Sequence, residues 1–502
     1  MNTSAIKRIS RNLLIASTWL LLAVGGLATA QGGGGVLRLA VGGDIDNFDP
    51  GWNQLIQYAT TIRNTVFDSL VGLDENMNIV PRLAESWEQL DETTWVFNLR
   101  QGVTFHNGDP FTAADVIHTF NRTLEQGMIF ASKVEPVTEA LAVDDHTLRL
   151  ALSRPVATLL DDLVLVAITP RGVSDDDLKQ NPVGTGAFRF ISWTPNEETV
   201  LERNPDYWDG DAPILDGITI RVLPDSATRL SNLQAGEVDA IYDVSIAEAQ
   251  SVVGDPNIVF QEPAASGSLF LIELGIGNTE ALQDLNVRRA LAHSLDKETI
   301  QQVAYFGGGE IICSPLPRFS WAYAEQDCPA FDLELAQSLL EEAGYGDGLE
   351  LSIEAISGVK EMEDVATIWQ ASLAKIGVTL NVNSSALSIW LDRYVGKTYD
   401  MTTNWFNLSS DPNSMFDIIY RPLLATVYPN DDVLAQINEA VAITDQAART
   451  AIYQRLQLDT VDTVAPLIVV QSRPLLALTS SAVGGWKMNG QNTILFNGVT
   501  VE

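Results

Sequence analysis

The residue types that most often perform catalysis are few and scattered in this sequence. Its four histidines, His106, His118, His146 and His293, include no pair at the spacing of metal ligands. Neither a G-x-S-x-G nucleophile elbow nor an H-E-x-x-H zinc motif occurs. Residues 395–398 (Val-Gly-Lys-Thr) resemble the end of a phosphate-binding loop, but Leu391 occupies the position of its first glycine. We therefore expect no catalytic residues, no metal and no cofactor, and a secreted enzyme is the less favoured alternative.

The composition excludes several classes of partner. The chain has 502 residues, 65 Asp and Glu against 30 Lys and Arg, and a formal net charge of −35. Such an acid excess argues against nucleic acids and anionic membrane surfaces, which are bound by clustered Lys and Arg. A hydrophobic content of 46% is typical of globular proteins, and the length allows about three domains. We expect a monomer with no nucleic-acid partner.

The N-terminus has the pattern of an export signal. A basic stretch at residues 7–11 precedes an apolar run at 13–24, and Ala28-Thr29-Ala30 supplies the small residues of a cleavage site. The run of about 12 residues is shorter than the roughly 20 that a membrane helix needs, although an uncleaved anchor is an alternative. No cysteine lies near the cleavage point, so we expect no lipid anchor. The sequence thus predicts a periplasmic or extracellular protein that is cleaved after Ala30.

The predicted export compartment favours a disulfide between the two cysteines, Cys313 and Cys328. In an exported protein, two cysteines usually form a disulfide. In the chain-entropy model, a loop of this length contributes roughly 3 kcal/mol to stability. The alternative, a redox-active pair, lacks the C-x-x-C spacing.

Two strand–helix–strand units are visible from hydrophobic periodicity. In the first, a strand with Ile218 and Val222 leads into a helix that ends at Gly236, and a strand follows over residues 238–242. In the second, a strand over 349–353 leads into a helix that ends at Gly377, followed by a strand over 378–382. Such units predict two α/β lobes with parallel strands. Residues 63–180 lack this rhythm and predict an inserted α+β subdomain.

Four groups of residues carry a family resemblance. They are 83–88 with 102–108 and 112–116; 181–186 with 202–208 and 235–239; 286–292 with 295–298; and 336–345 with 375–378. In this order they resemble bacterial extracellular solute-binding protein family 5, the dipeptide, oligopeptide and nickel class that serves ABC importers. The resemblance implies an α/β, two-lobed periplasmic-binding-protein fold of type II with an extra inserted α+β subdomain.

The resemblance and the element pattern together predict the domain organisation. The predicted parts are the signal peptide (1–30), the first part of lobe I (31–62), the inserted subdomain (63–180), the second part of lobe I (181–267), lobe II (268–474), and a C-terminal return to lobe I (475–502).

The resemblance also implies where the solute binds. In peptide-binding members, a Trp-x-x-Asp segment of lobe II lines the cleft, and its Asp pairs with the free amino group of the peptide. The matching residues here are Asn404, Trp405, Phe406, Asn407, Leu408 and, further on, Asp411. Leucine at position 408 cannot neutralise an ammonium group, so Asp411 substitutes or the solute lacks that group; a small misalignment is the third alternative.

Further cleft residues are predicted on both lobes. Trp390 is expected to add an aromatic wall, with core packing as its alternative, and Asn47 and Asp49 belong to a cleft-facing loop of lobe I. The predicted function is capture of a peptide or peptide-like solute for the permease of an ABC transporter. An oligosaccharide, an opine-like compound and a metal chelate are alternative ligands.

Overall fold

The computed structural model of the chain describes residues 34–52, 57–210, 213–263, 266–407, 410–420, 431–473 and 476–502. The predicted signal peptide and Leu408 lie outside the described residues. Within these ranges, none of the helices has both the length and the apolar character needed to span a bilayer.

Helices and strands alternate along most of the described chain. The strands are β1 (Val36–Val41), β2 (Val71–Leu73), β3 (Ile79–Pro81), β4 (Ala84–Asp91), β5 (Thr94–Leu99), β6 (Val137–Asp144), β7 (Thr147–Leu152), β8 (Phe188–Thr194), β9 (Glu198–Arg203), β10 (Gly217–Val222), β11 (Ala240–Val244), β12 (Ile258–Gln261), β13 (Ser268–Leu274), β14 (Leu349–Ile356), β15 (Val378–Ser385), β16 (Met401–Asn407), β17 (Leu467–Ser472), β18 (Leu476–Ser480), β19 (Val483–Gly484) and β20 (Thr500–Val501). The α-helices are α1 (Gln57–Val66), α2 (Ala113–Glu125), α3 (Ala131–Val134), α4 (Leu159–Val164), α5 (Asp175–Gln180), α6 (Ser226–Ala235), α7 (Ile246–Ser251), α8 (Glu280–Gln283), α9 (Leu285–His293), α10 (Lys297–Val303), α11 (Leu333–Glu342), α12 (Lys360–Leu373), α13 (Leu387–Val395), α14 (Asn413–Tyr420), α15 (Asp431–Ala442) and α16 (Gln446–Leu458).

Lobe I is built on a seven-stranded sheet with the order β12-β18-β11-β1-β10-β9-β8. Strand β1 pairs in parallel with both β10 and β11, so the predicted unit of β10, α6 and β11 is confirmed. Gly236 follows α6 with a φ of 74°, a left-handed conformation that glycine adopts without strain. The glycine thus ends the helix and turns the chain back into the sheet.

Lobe II is built on a five-stranded sheet with the order β15-β14-β16-β13-β17. Strands β14 and β15 pair in parallel around α12, which confirms the second predicted unit. Gly377 ends the helical segment with a φ of 79°. Helices α14 to α16 pack with the other face of the sheet, and a disulfide joins Cys313 to Cys328 with a Cα–Cα distance of 5.3 Å.

The inserted subdomain has an antiparallel sheet with the order β4-β5-β7-β6, which packs with α2 to α4. Thr112 caps α2, and Asp115 completes a capping box with it. The return to lobe I runs through Gly184 and Gly186, which press against α1. A Cβ atom on Gly184 would lie 2.0 Å from the carbonyl oxygen of Val66, so only glycine fits there.

The predicted domain boundaries stay a prediction. The boundary predicted after residue 62 falls within α1, a continuous helix over Gln57–Val66. The strands of the five-stranded sheet lie within 268–474, and those of the four-stranded sheet lie within 63–180. The chain passes between lobes I and II after β12 and again after β17, which brings the described residues 262–263, 266–267 and 473 to the junction.

His106 lies between the inserted subdomain and the segment that returns to lobe I, and we expect it to make the folding stability depend on pH. Gly184 N donates to His106 Nδ1 (3.4 Å), and Nε2 lies 3.0 Å from the carbonyl oxygen of Gly186. A second proton would therefore face a backbone N–H. Burial lowers the pKa of His106 from 6.5 to about 4.

Because the unfolded histidine takes up a proton near pH 6.5 and the folded one only near pH 4, its contribution is complete above pH 6.5 and is lost as the pH falls to 4. We expect the free energy of unfolding to decrease by about 3 kcal/mol across this window. Urea unfolding at a series of pH values measures it. His106→Gln should flatten the profile while the control His293→Gln keeps it; an unchanged profile in His106→Gln would contradict the assignment.

Candidate functional site

Three strands of lobe II end together at the junction. Across the sheet, Phe270 pairs with Trp405 on one side and Gln471 on the other, and Ser268 pairs with Asn407. Since side chains alternate along a strand, these five residues share one face of the sheet. An irregularity in the pairing of β13 with β17, between Phe270 and Leu271, brings Gln471 onto this face.

Buried polar atoms without partners concentrate at this end of the sheet. Among the described residues, no hydrogen-bond partner exists for Ser268 Oγ, Tyr305 Oη, Asn492 Oδ1, Thr493 Oγ1 or either polar atom of the Gln471 amide. All five residues, which we call the junction cluster, are at most 1% exposed. Each unsatisfied buried group costs about 1–3 kcal/mol. A bound molecule that supplied the missing partners would remove this cost.

The junction cluster includes groups from both lobes. The ring of Tyr305 contacts that of Phe270, with centroids 6.0 Å apart, which places its hydroxyl on the shared face. From lobe I, Asn492 Nδ2 donates to Asn407 Oδ1 across 3.3 Å. A molecule between the lobes would therefore meet hydrogen-bonding groups on both sides.

Next to the junction cluster, Arg473 and Trp405 form a cation–π pair. The guanidinium of Arg473 lies 4.5 Å from the ring centroid of Trp405 and forms an ion pair with Glu361, which belongs to the first turn of α12. Arg473 also directly precedes the second passage between the lobes. The pair fixes the orientation of the indole, whose other surfaces are only partly buried.

Further contacts hold lobe II against the inserted subdomain. The hydroxyl of Ser410 donates to the carboxylate of Asp161, and Ala157 N donates to the carbonyl oxygen of Val441 at 2.8 Å. The site is thus bounded by lobe I, lobe II and the insert.

A cavity of about 380 Å³ lies elsewhere, between α1, the β2–β3 hairpin and residues 487–498. Its deepest charged group, the carboxylate of Asp68, accepts hydrogen bonds from Thr185, Tyr207 and Trp208. These partners already satisfy that carboxylate. We therefore place the candidate site at the junction, where buried groups still lack partners.

Comparisons with known proteins agree with this architecture. Residues 78–423 match the family described as bacterial extracellular solute-binding proteins, family 5 Middle. The chain belongs to family 5 of the bacterial extracellular solute-binding proteins. Heme-binding protein A of Haemophilus influenzae is 30% identical over 87% of each chain, and glutathione-binding protein GsiB of Pectobacterium atrosepticum is 27% identical over 89% of this chain and 90% of its own.

Among solved structures, the periplasmic binding protein DppA of Helicobacter pylori, in complex with the peptide STSA, is 26% identical. It superposes with a TM-score of 0.82 over 93% of this chain and 98% of its own. The predicted two-lobed α/β fold is confirmed, as is the role of a solute-binding protein for an ABC importer. Proteins of family 5 are periplasmic or extracellular substrate-binding proteins.

The predicted strand residues of this family 5 protein divide between the two faces of the sheet. Trp405 and Asn407 lie on the face of the junction cluster. Asn404 and Phe406 point to the opposite face, where Asn404 Nδ2 donates to Glu273 Oε1 at 2.8 Å and Phe406 packs with the core of α14 to α16. Leu408, the residue on which the ammonium argument depends, lies outside the described residues.

The structure contradicts the prediction that Trp390 forms an aromatic wall. Its side chain is 6% exposed, stacks on Tyr394 with centroids 4.9 Å apart, and donates from Nε1 to Thr402 Oγ1 at 3.0 Å. The indole is therefore part of the core of lobe II, as the alternative held.

The carboxylate of Asp411 already has partners within lobe II. Its carboxylate lies 2.7 Å from the guanidinium of Arg449 and accepts a hydrogen bond from Asn413 N at 2.9 Å. Burial raises the pKa of Asp411 to about 6, although Arg449 opposes the shift. A carboxylate held in this way is a poor substitute for the family's ammonium-binding Asp.

The two predicted residues of lobe I serve local structure. Asn47 Oδ1 accepts a hydrogen bond from Asp49 N, and the fully buried Asp49 pairs with Arg122 of α2. This pair joins lobe I to the inserted subdomain, so Asp49 is not available to a solute.

Sequence reasoning missed all five residues of the junction cluster. One signal was present: the apolar run of β17 ends in the polar residues Gln471, Ser472 and Arg473 just before the chain leaves lobe II. Polar residues at the end of a buried strand, next to an interlobe crossing, are candidates for ligand contacts.

Proposed function

We propose that this protein binds a peptide or peptide-like solute at the lobe junction and delivers it to the membrane permease of an ABC importer without bond chemistry. The observation that carries the proposal is the junction cluster. Among the described residues, neither the donor nor the acceptor of the Gln471 amide has a partner, and the two side by side complement a peptide bond. Closure of the lobes would exclude water and strengthen these contacts.

The relatives support this choice of ligand. One is named for glutathione, a tripeptide, and a structural neighbour is in complex with the peptide STSA. A further relative is named for heme binding. We also propose export by a signal peptide cleaved after Ala30, the absence of a lipid anchor, a monomeric state, and the domain boundaries given above with the first moved out of α1.

Native mass spectrometry of protein purified without refolding tests the proposal. We expect the wild-type protein to retain a co-purified ligand, and this ligand should fragment as a peptide or peptide conjugate. Recovery of an oligosaccharide or a metal chelate at full occupancy would overturn the peptide assignment and leave the transport role intact.

The Gln471 amide provides a more specific prediction. Gln471→Leu should weaken binding of the recovered solute about tenfold or more, since a charge-free apolar group cannot pair with it. The unfolding midpoint of the ligand-free protein should stay level or rise, because an unsatisfied buried group is removed. Isothermal titration calorimetry and thermal unfolding measure the two effects.

A matched control is Gln457, which is also fully buried but hydrogen-bonded to Ser314, Ala322, Ala324 and Tyr453. Gln457→Leu should lower the midpoint and leave the affinity unchanged. If Gln471→Leu behaves in the same way, Gln471 is a structural residue and not a ligand contact.

A further inference from the structure

Arg63 is a buried cation whose charge has no obvious structural use. It lies on α1 with 7% of its surface exposed, and its guanidinium carbon lies 5.3 Å from the ring centroid of Phe130. Its only hydrogen bond among described residues runs from Nε to the adjacent Asn64 Oδ1, at 3.5 Å. Neither a carboxylate nor a backbone carbonyl of the described chain pairs with it.

The other buried arginines of the described chain are all engaged. Three form ion pairs with carboxylates, and two donate to at least two backbone carbonyls; they are Arg122, Arg449 and Arg473, and Arg229 and Arg288. Arg63 therefore differs from every other buried arginine of the described chain, because its guanidinium has neither a carboxylate nor a backbone carbonyl as partner.

Acidic partners are not scarce in this protein. The chain has more than two acidic residues for each basic one, and all but three of the 65 acidic side chains, those of Asp211, Asp243 and Asp462, are described. None of the described carboxylates pairs with Arg63. Desolvation lowers its pKa to about 10, so the guanidinium is still charged at neutral pH. Burying a charge without a partner lowers the stability of the folded protein. A ligand of opposite charge would offset this loss when it binds.

The position of Arg63 relates it to the candidate site. On α1, the hydroxyl of Thr61 accepts a hydrogen bond from Ile494 N at 3.3 Å, two residues beyond Asn492 of the junction cluster. Phe130 directly precedes α3, whose Lys133 pairs with Asp162 of α4. The neighbouring Asp161 holds Ser410 of lobe II. Arg63 thus lies on the lobe I helix that contacts residue 494, with its guanidinium against Phe130 of the inserted subdomain.

We propose that Arg63 binds a carboxylate of the solute, which makes the preferred ligand an acid such as a peptide with a free C-terminus. The guanidinium presents a planar set of donors that matches a carboxylate with two parallel hydrogen bonds. Phe130 already restrains the guanidinium by stacking, so little freedom is lost on binding. The inference rests on the proposed function, because it assumes that the solute occupies the lobe junction.

Competition between acids and their amides tests the proposal. One pooled library of tripeptides is prepared with free C-termini and again as C-terminal amides, and a second set pairs small dicarboxylic acids with their diamides. Binding to wild type, Arg63→Gln and Arg63→Met is measured by native mass spectrometry. We expect the wild type to prefer acids by about tenfold to a hundredfold, and the variants to lose this preference.

Arg100 provides a matched control, since its guanidinium also stacks on an aromatic ring, at 4.3 Å from the centroid of Trp208, but lies near the acidic Glu85. Arg100→Gln should retain the preference for acids. The ligand-free Arg63→Met protein should unfold at the same temperature as the wild type or above it, because a desolvated charge is removed.

The outcomes separate this inference from the proposed function. If dicarboxylic acids bind through Arg63 while no tripeptide does, the peptide function fails and the carboxylate site stands. If tripeptide acids and amides bind equally, or if the preference survives in both Arg63 variants, the carboxylate site is overturned while the peptide function stands. Binding of no compound in either set overturns both.

Discussion

Replacing Asp411 by alanine should lower the free energy of unfolding by about 3–5 kcal/mol, because it leaves the guanidinium of Arg449 buried without its carboxylate. The side chains of this pair are 9% and 6% exposed. Arg449 also stacks on Trp321 and Tyr453, so it cannot turn towards solvent without breaking the core of α14 to α16. Urea unfolding measures the loss.

The double variant Asp411→Ala with Arg449→Met is the control for this prediction. Removing both charges should restore much of the lost stability, since an apolar pair of similar volume often replaces a buried ion pair without loss. A change below about 1 kcal/mol in the single variant would mean that the carboxylate is not needed for folding. Asp411 would then return as a candidate for binding the solute's ammonium.

Replacing Trp405 by alanine should weaken binding of the co-purified solute about hundredfold, while the midpoint of thermal unfolding of the ligand-free protein changes little. The indole is partly buried at the junction end of β16, and the stacked guanidinium of Arg473 fixes its orientation. Under the proposed function, removal of this rigid aromatic surface would deprive the solute of an apolar contact. Calorimetric titration and thermal unfolding separate binding from stability.

Trp390 is the matched control for this second prediction. Its indole belongs to the same lobe but is 6% exposed, so Trp390→Ala should cost about 3–5 kcal/mol of stability. Its effect on affinity should be smaller than that of Trp405→Ala. A large fall in the unfolding midpoint of Trp405→Ala would assign Trp405 to the core as well.

The parts of the fold that local sequence determines were predictable. Glycines 236 and 377 end helices in a left-handed conformation, and each sits between a periodic helix and a β-branched strand, so both strand–helix–strand units could be recognised. The cap of α2 also depends only on residues three apart, Thr112 and Asp115. Such signals require no knowledge of distant partners.

The candidate site was less predictable because its groups meet through distant pairings. Gln471 joins Trp405 only because β13 lies between their strands, and because an irregularity next to Phe270 sets its face. Asp411 was predicted to face the solute, but its carboxylate pairs with Arg449, 38 residues further along the chain. Neither relation leaves a periodic trace in the sequence, whereas the family resemblance directed attention to residues 404–407, which lie in β16.

The strand order of lobe I has a consequence for how the chain completes its fold. Strand β12 pairs only with β18 in its sheet, and β18 lies more than two hundred residues later. Val501, near the end of the chain, donates its N–H to the carbonyl oxygen of Gly34 at 2.7 Å. The inserted subdomain and lobe II consist of continuous segments, so each can form as soon as its own residues have been synthesised. Lobe I carries the long-range pairings and must close last, which gives the protein a high contact order and makes its final docking step slow.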